Sequence, residues 1–288
     1  METTRSREER PGIVDRLQLN NLPWWGIVIL LSGLVFTYLI LVDENYNATF
    51  LFLKEGVITT IRITFFAYIL SVVIGLLTGI ARTSKNTFVY TIATLYVEVF
   101  RGIPMIVLIL YIAFGVVPLF VTFVNSLGNV GLDPSTGTPL ESLFLYLSSY
   151  TIRKISMEFR GILALGIGYG AYEAEVFRAG IQAISRGQME AARSLGMSYF
   201  KAMRLIILPQ AVRAVLPPLG NDFISLLKDS ALLTVLAVNE LTQLGRKRRS
   251  STFRVFETFN VVVFLYLAMT LLLSAGVRYI EKRMKIED

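Results

Sequence analysis

The sequence contains no cysteine and no histidine, and charged residues make up only 17% of its 288 residues. Without these two side chains the chain lacks disulfides, thiol chemistry, imidazole catalysis and the usual haem and zinc ligands. Soluble domains carry about 25% charged residues, whereas 54% of this chain is hydrophobic. The net charge is +7, but the basic residues lie between apolar runs and form no single stripe. The composition therefore favours a protein embedded in a lipid bilayer and argues against a soluble enzyme or a nucleic acid partner.

Six apolar segments are long enough, at about 20 residues, to cross the bilayer as helices. They lie near residues 24–42, 51–81, 96–124, 158–183, 206–238 and 258–280. The first opens with two tryptophans and is followed by Asp43 and Glu44 instead of a small-residue cleavage site, so it is interpreted as a helix and not as a signal peptide. The sequence predicts an all-α membrane protein with six transmembrane helices.

Lysine and arginine in short loops predict the orientation, because cytoplasmic loops carry the excess of basic residues. The number of lysines and arginines, summed over the loops, predicts a multi-pass cell-membrane protein with both termini in the cytoplasm. Residues 1–23 would then be a cytoplasmic leader. Residues 125–157 then form an external loop. The basic run at 246–249 also falls outside, against the general trend.

The segment 185–209 is polar and rich in small residues, between two apolar spans. Ser185 and Gln188 have the spacing of a helix-capping box, Gly196 suits a helix end, and a second short helix is expected to start at Ser198. The first helix carries a small apolar surface flanked by charge, at Glu190, Ala191, Ala192, Arg193 and Leu195. Two short helices at an angle would form a docking site for another protein; the alternative is an amphipathic linker on the membrane surface.

Charged residues inside membrane spans cost about 2.5–3.5 kcal/mol each and are candidates for function. Glu173 and Glu175 lie within the fourth span and point about 200° apart on a helix. One is expected to face the pathway or a partner and the other to pair elsewhere, the alternative being that both are structural. Glu98 and Arg101 are three residues apart and are predicted to form an ion pair on one helix face.

The fifth span contains Pro217, Pro218 and Gly220, which predict a broken helix. Interrupted helices at membrane depth are tolerated mainly where they line a cavity or are covered by protein. The polar residues that follow could contact a polar substrate; they are Asn221, Asp222, Ser225 and Asp229. The alternative is a kinked helix whose polar residues stabilise the kink.

Four stretches resemble one known family. The string GQMEAARSLGMSYFKAMRLIILPQA resembles the EAA loop of ABC-importer permeases, with the family positions matched by Glu190, Ala191, Ala192, Gly196 and Pro209. EVFRGIPM at 98–105, AYEAEVFRAG at 171–180 and LPPLGNDFISLLKDSAL at 216–232 resemble the branch that carries polar amino acids. DSAL departs from the more usual D-[ST]-S-L of that branch, and the first helix lies outside the common five-helix pattern.

The resemblance implies a five-helix permease core of the type I importer kind at 51–284, preceded by an extra helix at 24–42. It implies a complex of two permeases, identical or similar, two ATPase subunits that hold ATP and Mg²⁺, and an extracytoplasmic solute-binding protein. The loop at 185–209 would couple this chain to the ATPase, and no cofactor is expected on the chain itself. Consistent with this, the sequence has no G-x-x-x-x-G-K-[ST] phosphate loop.

Two other classes of function remain open from the residues alone. A cation-coupled secondary transporter could use Glu173, Glu175 or Asp222, although no inverted repeat is visible. A membrane-embedded enzyme or an assembly subunit is the other class, and it is weakened by the absence of histidine and cysteine.

Overall fold

The computed structural model describes residues 24–130, 145–149 and 151–284, and every regular element within them is helical. The predicted all-α fold is confirmed for this part of the chain. The predicted leader at 1–23 and part of the predicted external loop, residues 131–144 and 150, lie outside the described residues. The α-helices in chain order are α1 (Trp24–Val42), α2 (Glu44–Ala81), α3 (Thr87–Gly102), α4 (Met105–Tyr111), α5 (Val117–Val130), α6 (Met157–Gln182), α7 (Arg186–Ser194), α8 (Tyr199–Ala202), α9 (Leu208–Asp229), α10 (Leu241–Thr252) and α11 (Val255–Met284).

Five helical stretches of the described chain are long and apolar enough to cross a membrane. They are Trp24–Val42, Glu44–Ala81, Met105–Asn129, Tyr199–Leu236 and Val255–Arg283. The fourth predicted span, 158–183, is not among these five and corresponds to α6, whose 26 residues make it about 39 Å long. Its charged residues lower its hydropathy, but the helix is largely buried by its neighbours, so many of these groups meet protein instead of lipid.

Helices α2 and α6 form the centre of the bundle and pack against each other. Their close approach depends on glycine: a Cβ added to Gly75 of α2 would lie 2.3 Å from the Cβ of Glu173 in α6. At Gly79 an added Cβ would lie 2.8 Å from the Cβ of Phe177. Helices α3 and α9 pack against α6 as well, while α1 packs on α2 and α11.

The apolar core has two parts. One lies where α2, α4, α6 and α9 meet and includes Ile63, Leu108, Ile109, Leu165, Leu226 and Leu233. The other lies where α2 meets α10 and α11 and includes Leu53, Leu227, Leu241, Leu244 and Val261.

The predicted third span at 96–124 is interrupted in the structure, between the end of α3 and the start of α4. Helix α3 starts earlier, at Thr87, because the Asn86 side chain accepts hydrogen bonds from the amides of Phe88 and Val89. The chain leaves the helix at Ile103 and restarts after Pro104, since a proline disfavours helical backbone at the residue before it. A π-helical segment, Ile112–Val116, then joins α4 to α5.

The predicted break at Pro217 and Pro218 is wrong, because α9 runs through both prolines to Asp229. Inside a packed bundle, neighbouring helices can compensate for the hydrogen bond that a proline removes. The regular helix ends further on, where Ser230–Leu236 forms a 3₁₀ helix and Ala237 takes a left-handed backbone conformation with φ 55°.

The loop at 185–209 and helix α10 lie towards opposite ends of α2. Gly56 of α2 contacts Leu241 of α10, whereas Gly79 contacts Phe177 near the end of α6 that leads into the loop. At 1.5 Å per residue these glycines are about 35 Å apart along the helix axis. The two regions are therefore separated by roughly the thickness of a bilayer core.

Candidate functional site

The loop at 185–209 folds as one short helix, α7, followed by a sharp turn into α8, which is the first turn of the long helical stretch Tyr199–Leu236. The Ser185 hydroxyl accepts a hydrogen bond from the amide of Gly187 at 3.1 Å and starts α7, and the Ser198 hydroxyl accepts one from the amide of Lys201 at 3.3 Å and starts α8. Gly196 has φ +79°, which favours glycine. Its amide donates to the Arg193 carbonyl at 3.0 Å, so the predicted helix end at Gly196 is confirmed.

The turn exposes an apolar surface, here called the knob, formed by Ala191, Leu195, Tyr199 and Phe200. Leu195 is 84% exposed and Phe200 is 74% exposed. Ala192, which was expected on the same surface, is only 5% exposed and packs inward. Sequence reasoning missed both aromatic residues, which belong to α8.

The remaining loop residues flank the knob. Gln188, Glu190 and Arg193 are exposed around it. Pro209 is the second residue of α9, directly after the π-helical segment Met203–Ile207 that joins α8 to α9.

A cavity of about 480 Å³ opens between α3, α6 and α9. It is lined by Arg101, Tyr172, Glu175, Val176, Ala179, Gly180, Ala183, Ala214, Pro218 and Asp222. Of the predicted pathway residues, Glu175 and Asp222 line it, whereas the other four do not. Arg101 was predicted only as an ion-pair partner, so its place in the cavity is new.

The predicted ion pair between Glu98 and Arg101 is wrong. The Arg101 guanidinium lies over the Tyr172 ring, 5.4 Å from its centroid. Glu98 instead has its carboxylate 3.9 Å from the guanidinium of Arg82, and its side chain is 70% exposed. An exposed carboxylate is a weak competitor for a guanidinium that can stack on an aromatic face.

Glu175 is held by two arginines from different parts of the chain. Arg82 donates to its carboxylate at 2.5 Å, and Arg178 donates to both of its oxygens. Arg178 also donates to the Gln182 side chain at 2.6 Å. Both carboxylate oxygens of Glu175 accept hydrogen bonds from arginine, so a cationic ligand would have to displace one of the two arginines to bind there.

Glu173 lies on the other side of α6, at the contact with α2. It is fully buried, and neither carboxylate oxygen has a hydrogen-bond partner among the described residues. The two glutamates diverge, as their helical spacing predicts. The predicted pairing is wrong, however, because the glutamate in the cavity wall, Glu175, is the paired one, and Glu173 has no hydrogen-bond partner among the described residues.

The other polar residues of α9 point to separate places. Asn221 is exposed, and the Ser225 hydroxyl donates to the Asn221 carbonyl of its own helix at 3.1 Å. Asp229 accepts a hydrogen bond from the Tyr169 hydroxyl at 2.8 Å. Asp222 makes no salt bridge or hydrogen bond with another described side chain, so the cavity contains one free carboxylate and one guanidinium, Arg101, bound only to a ring.

Comparison with known proteins identifies the family. The family model described as binding-protein-dependent transport system inner membrane component matches residues 71–286. This chain belongs to that family. The match covers the cavity and the loop at 185–209, and it confirms the resemblance seen in the sequence motifs.

Curated relatives and a solved structure agree with this assignment. The glutamine transport system permease protein GlnP of Escherichia coli strain K12 is 34% identical over 81% of this chain and 93% of its own. The probable glutamine ABC transporter permease protein GlnM of Bacillus subtilis strain 168 is 36% identical over 80% of this chain and 92% of its own. A crystal structure of an amino acid ABC transporter with histidines is 35% identical, covers 83% of this chain and 95% of that chain, and has a TM-score of 0.62.

Proposed function

We propose that this chain is the permease subunit of an ATP-binding-cassette importer for polar amino acids. Membership of the binding-protein-dependent family supports the importer role. The names of GlnP and GlnM, and of the amino acid transporter structure, support the substrate class. The cavity is the observation that carries the proposal, because a guanidinium and a free carboxylate, from two different helices, line the same cavity.

A free amino acid is a zwitterion, and the cavity offers a group of opposite charge for each end. Arg101 can bind the α-carboxylate with two parallel hydrogen bonds once it leaves the Tyr172 ring. Asp222 can accept hydrogen bonds from the α-ammonium group. Arg101 lies one residue before the end of α3, and Asp222 lies within the helical stretch Tyr199–Leu236, which is long and apolar enough to cross a membrane.

The other predicted pathway residues take supporting places in this proposal. Glu175 holds two arginines beside the cavity, and Glu173 lies in the α2–α6 interface. Asn221, Ser225 and Asp229 are directed away from the lining. Substrate contact is therefore assigned to Arg101, Tyr172 and Asp222.

The energy for transport is proposed to come from the hydrolysis of ATP, which two separate ATPase subunits bind together with Mg²⁺. The exposed knob supports this, since Leu195, Tyr199 and Phe200 offer a compact apolar surface for a partner protein. A second permease chain, identical or similar, would close the open side of the cavity. ATP binding would then move the knob and reopen the cavity towards the binding protein, which delivers substrate from outside.

The test is uptake by vesicles containing the complete complex, with each amino acid as competitor. Losing a hydrogen bond to a charged group costs about 1.5–3 kcal/mol, so Asp222→Asn should raise the KM for uptake about 10- to 150-fold. Glu98→Gln is the matched control, because it removes an exposed carboxylate from outside the cavity, and its KM should stay close to wild type.

Two outcomes would contradict the proposal. Asp222 would be structural if Asp222→Asn lowered thermal stability in proportion to uptake while the remaining complexes kept wild-type affinity. Uptake that needed an ion gradient and no ATP would instead support a secondary transporter.

A further inference from the structure

Helix α10 carries a concentration of positive charge that amino acid transport does not explain. Residues 246–249 are four consecutive cations, and the helix contains no aspartate or glutamate. Arg246, Lys247 and Arg249 are exposed. Together with Gln243, Ser250 and Ser251 they line an open cavity of about 460 Å³.

The opposite face of α10 is fixed to the protein. Leu241 and Leu244 are buried against α2, where Gly56 allows the two backbones to approach closely. Glu240 accepts hydrogen bonds from the amides of Thr242 and Gln243, both at 2.7 Å, and so anchors the start of the helix. The exposed cations therefore lie on a helix that is held in place by packing against α2 and by the Glu240 cap.

Their charge is not neutralised within the described chain. Arg246 and Lys247 contact only neutral oxygens, of Thr234 at 3.3 Å and Asn239 at 2.6 Å. Arg249 has no salt bridge to any described carboxylate. These three side chains, here called the basic face, make a surface that would attract negative charge.

Two cations beside the basic face are used internally. Arg248 lies over the Phe52 ring, 5.8 Å from its centroid, and Arg254 is 3.6 Å from the Glu257 carboxylate. Because both side chains are engaged within this chain, neither is counted as part of the basic face.

We propose that the basic face is a docking surface for an acidic patch on the extracytoplasmic binding protein. The inference rests on the proposed function, in which the knob meets the ATPase, and α10 lies near the opposite end of the bundle. The family depends on a binding protein, which must dock on the face away from the ATPase. A helix lying on lipid would turn its apolar residues to the membrane, whereas Leu241 and Leu244 are buried in the protein.

The test compares two double charge reversals in the complete transporter. Arg246→Glu with Arg249→Glu alters the basic face, and Arg278→Glu with Lys282→Glu makes the same change of charge at exposed positions in the last turns of α11. The Kd between the transporter and the system's own binding protein is measured directly in neutral detergent at low and high salt.

The reversal on the basic face should raise the Kd at least about 10-fold at low salt, since complementary charges govern encounter and partner choice. High salt should shrink this difference to about 2-fold, because exposed charges are screened. The control should stay within about 2-fold of wild type. A Kd unchanged by the reversal would overturn the proposal.

Two further measurements distinguish protein docking from misfolding and from lipid binding. A neutral variant, Arg246→Gln with Arg249→Gln, should give an intermediate Kd even if the reversal impairs folding. A defect seen only in vesicles of anionic lipid, and absent in neutral detergent, would assign the basic face to lipid and overturn the proposal. If wild type binds the binding protein but takes up no amino acid, the proposed function fails while the docking surface stands.

Discussion

Replacing Gly75 with alanine is expected to push apart the two central helices. The new Cβ would lie 2.3 Å from the Cβ of Glu173 and 3.0 Å from the amide nitrogen of Ala174. Neither neighbour can rotate away, because one is the first atom of a side chain and the other is backbone. Overpacking of this kind costs about 1–3 kcal/mol, and the displaced segment includes a fully buried glutamate.

The matched control is Gly33→Ala in α1, where an added Cβ meets nothing within 4 Å. This change should leave stability unaltered or raise it by up to about 1 kcal/mol, since alanine favours helix over glycine. The free energy of unfolding can be compared by titrating each purified variant in mixed micelles with SDS and following helicity by circular dichroism. Equal midpoints for Gly75→Ala and Gly33→Ala would refute the close packing of α2 and α6.

The remaining short predictions concern coupling, orientation and ion pairing. Gly196→Val forces a branched residue into a left-handed backbone, at a cost of about 1–2 kcal/mol, and should lower uptake per ATP hydrolysed; unchanged uptake would exclude a coupling role for the turn. A single cysteine at 195 should react with an impermeant maleimide only in inside-out vesicles, and one at 250 only in right-side-out vesicles; reaction at 250 from the inside would overturn the orientation. Glu175→Gln should lower the thermal midpoint more than Glu98→Gln, because it strips two arginines of their shared partner; equal midpoints would count against the cluster.

The features that sequence predicts well are those that depend on neighbouring residues. Long apolar runs mark most of the spans, and serine and glycine mark the start of α7 and its end at Gly196. Each signal acts through a backbone group within a few residues, so no knowledge of the fold is needed. The short helix α7 and the start of α8 after Ser198 were predictable for this reason, as was the divergence of Glu173 and Glu175, whereas the continuation of α8 into α9 was not.

The errors concern choices that the tertiary structure makes. Arg101 had Glu98 within one helical turn, yet it stacks on Tyr172, 71 residues away along the chain. The two arginines on Glu175 include Arg82, which is 93 residues distant. Helix α9 passes through Pro217 because its neighbours support it. Local spacing lists the possible partners of a side chain, but packing between distant helices selects among them.

Glu240 shows how burial and hydrogen bonding oppose each other outside the spans. It is fully buried, and its carboxylate accepts hydrogen bonds from two backbone amides and the Tyr266 hydroxyl. Burial raises the pKa of Glu240 and the hydrogen bonds lower it, with burial dominant. Because the pKa is raised on folding, this group favours the folded state most below its unfolded pKa, and that stability is lost as the pH rises through the folded pKa.

The variant Glu240→Gln tests this balance. Glutamine has one acceptor oxygen, so one backbone amide loses its partner and the variant should be less stable by about 1–3 kcal/mol. Glutamine does not titrate, so the stability advantage of wild type over the variant should be larger near pH 5 than at pH 8. Thermal unfolding across this range measures the difference, with Glu257→Gln as a control at a partly exposed carboxylate. An advantage that grew with pH would mean that the hydrogen bonds outweigh burial and that Glu240 is stabilised in its charged form.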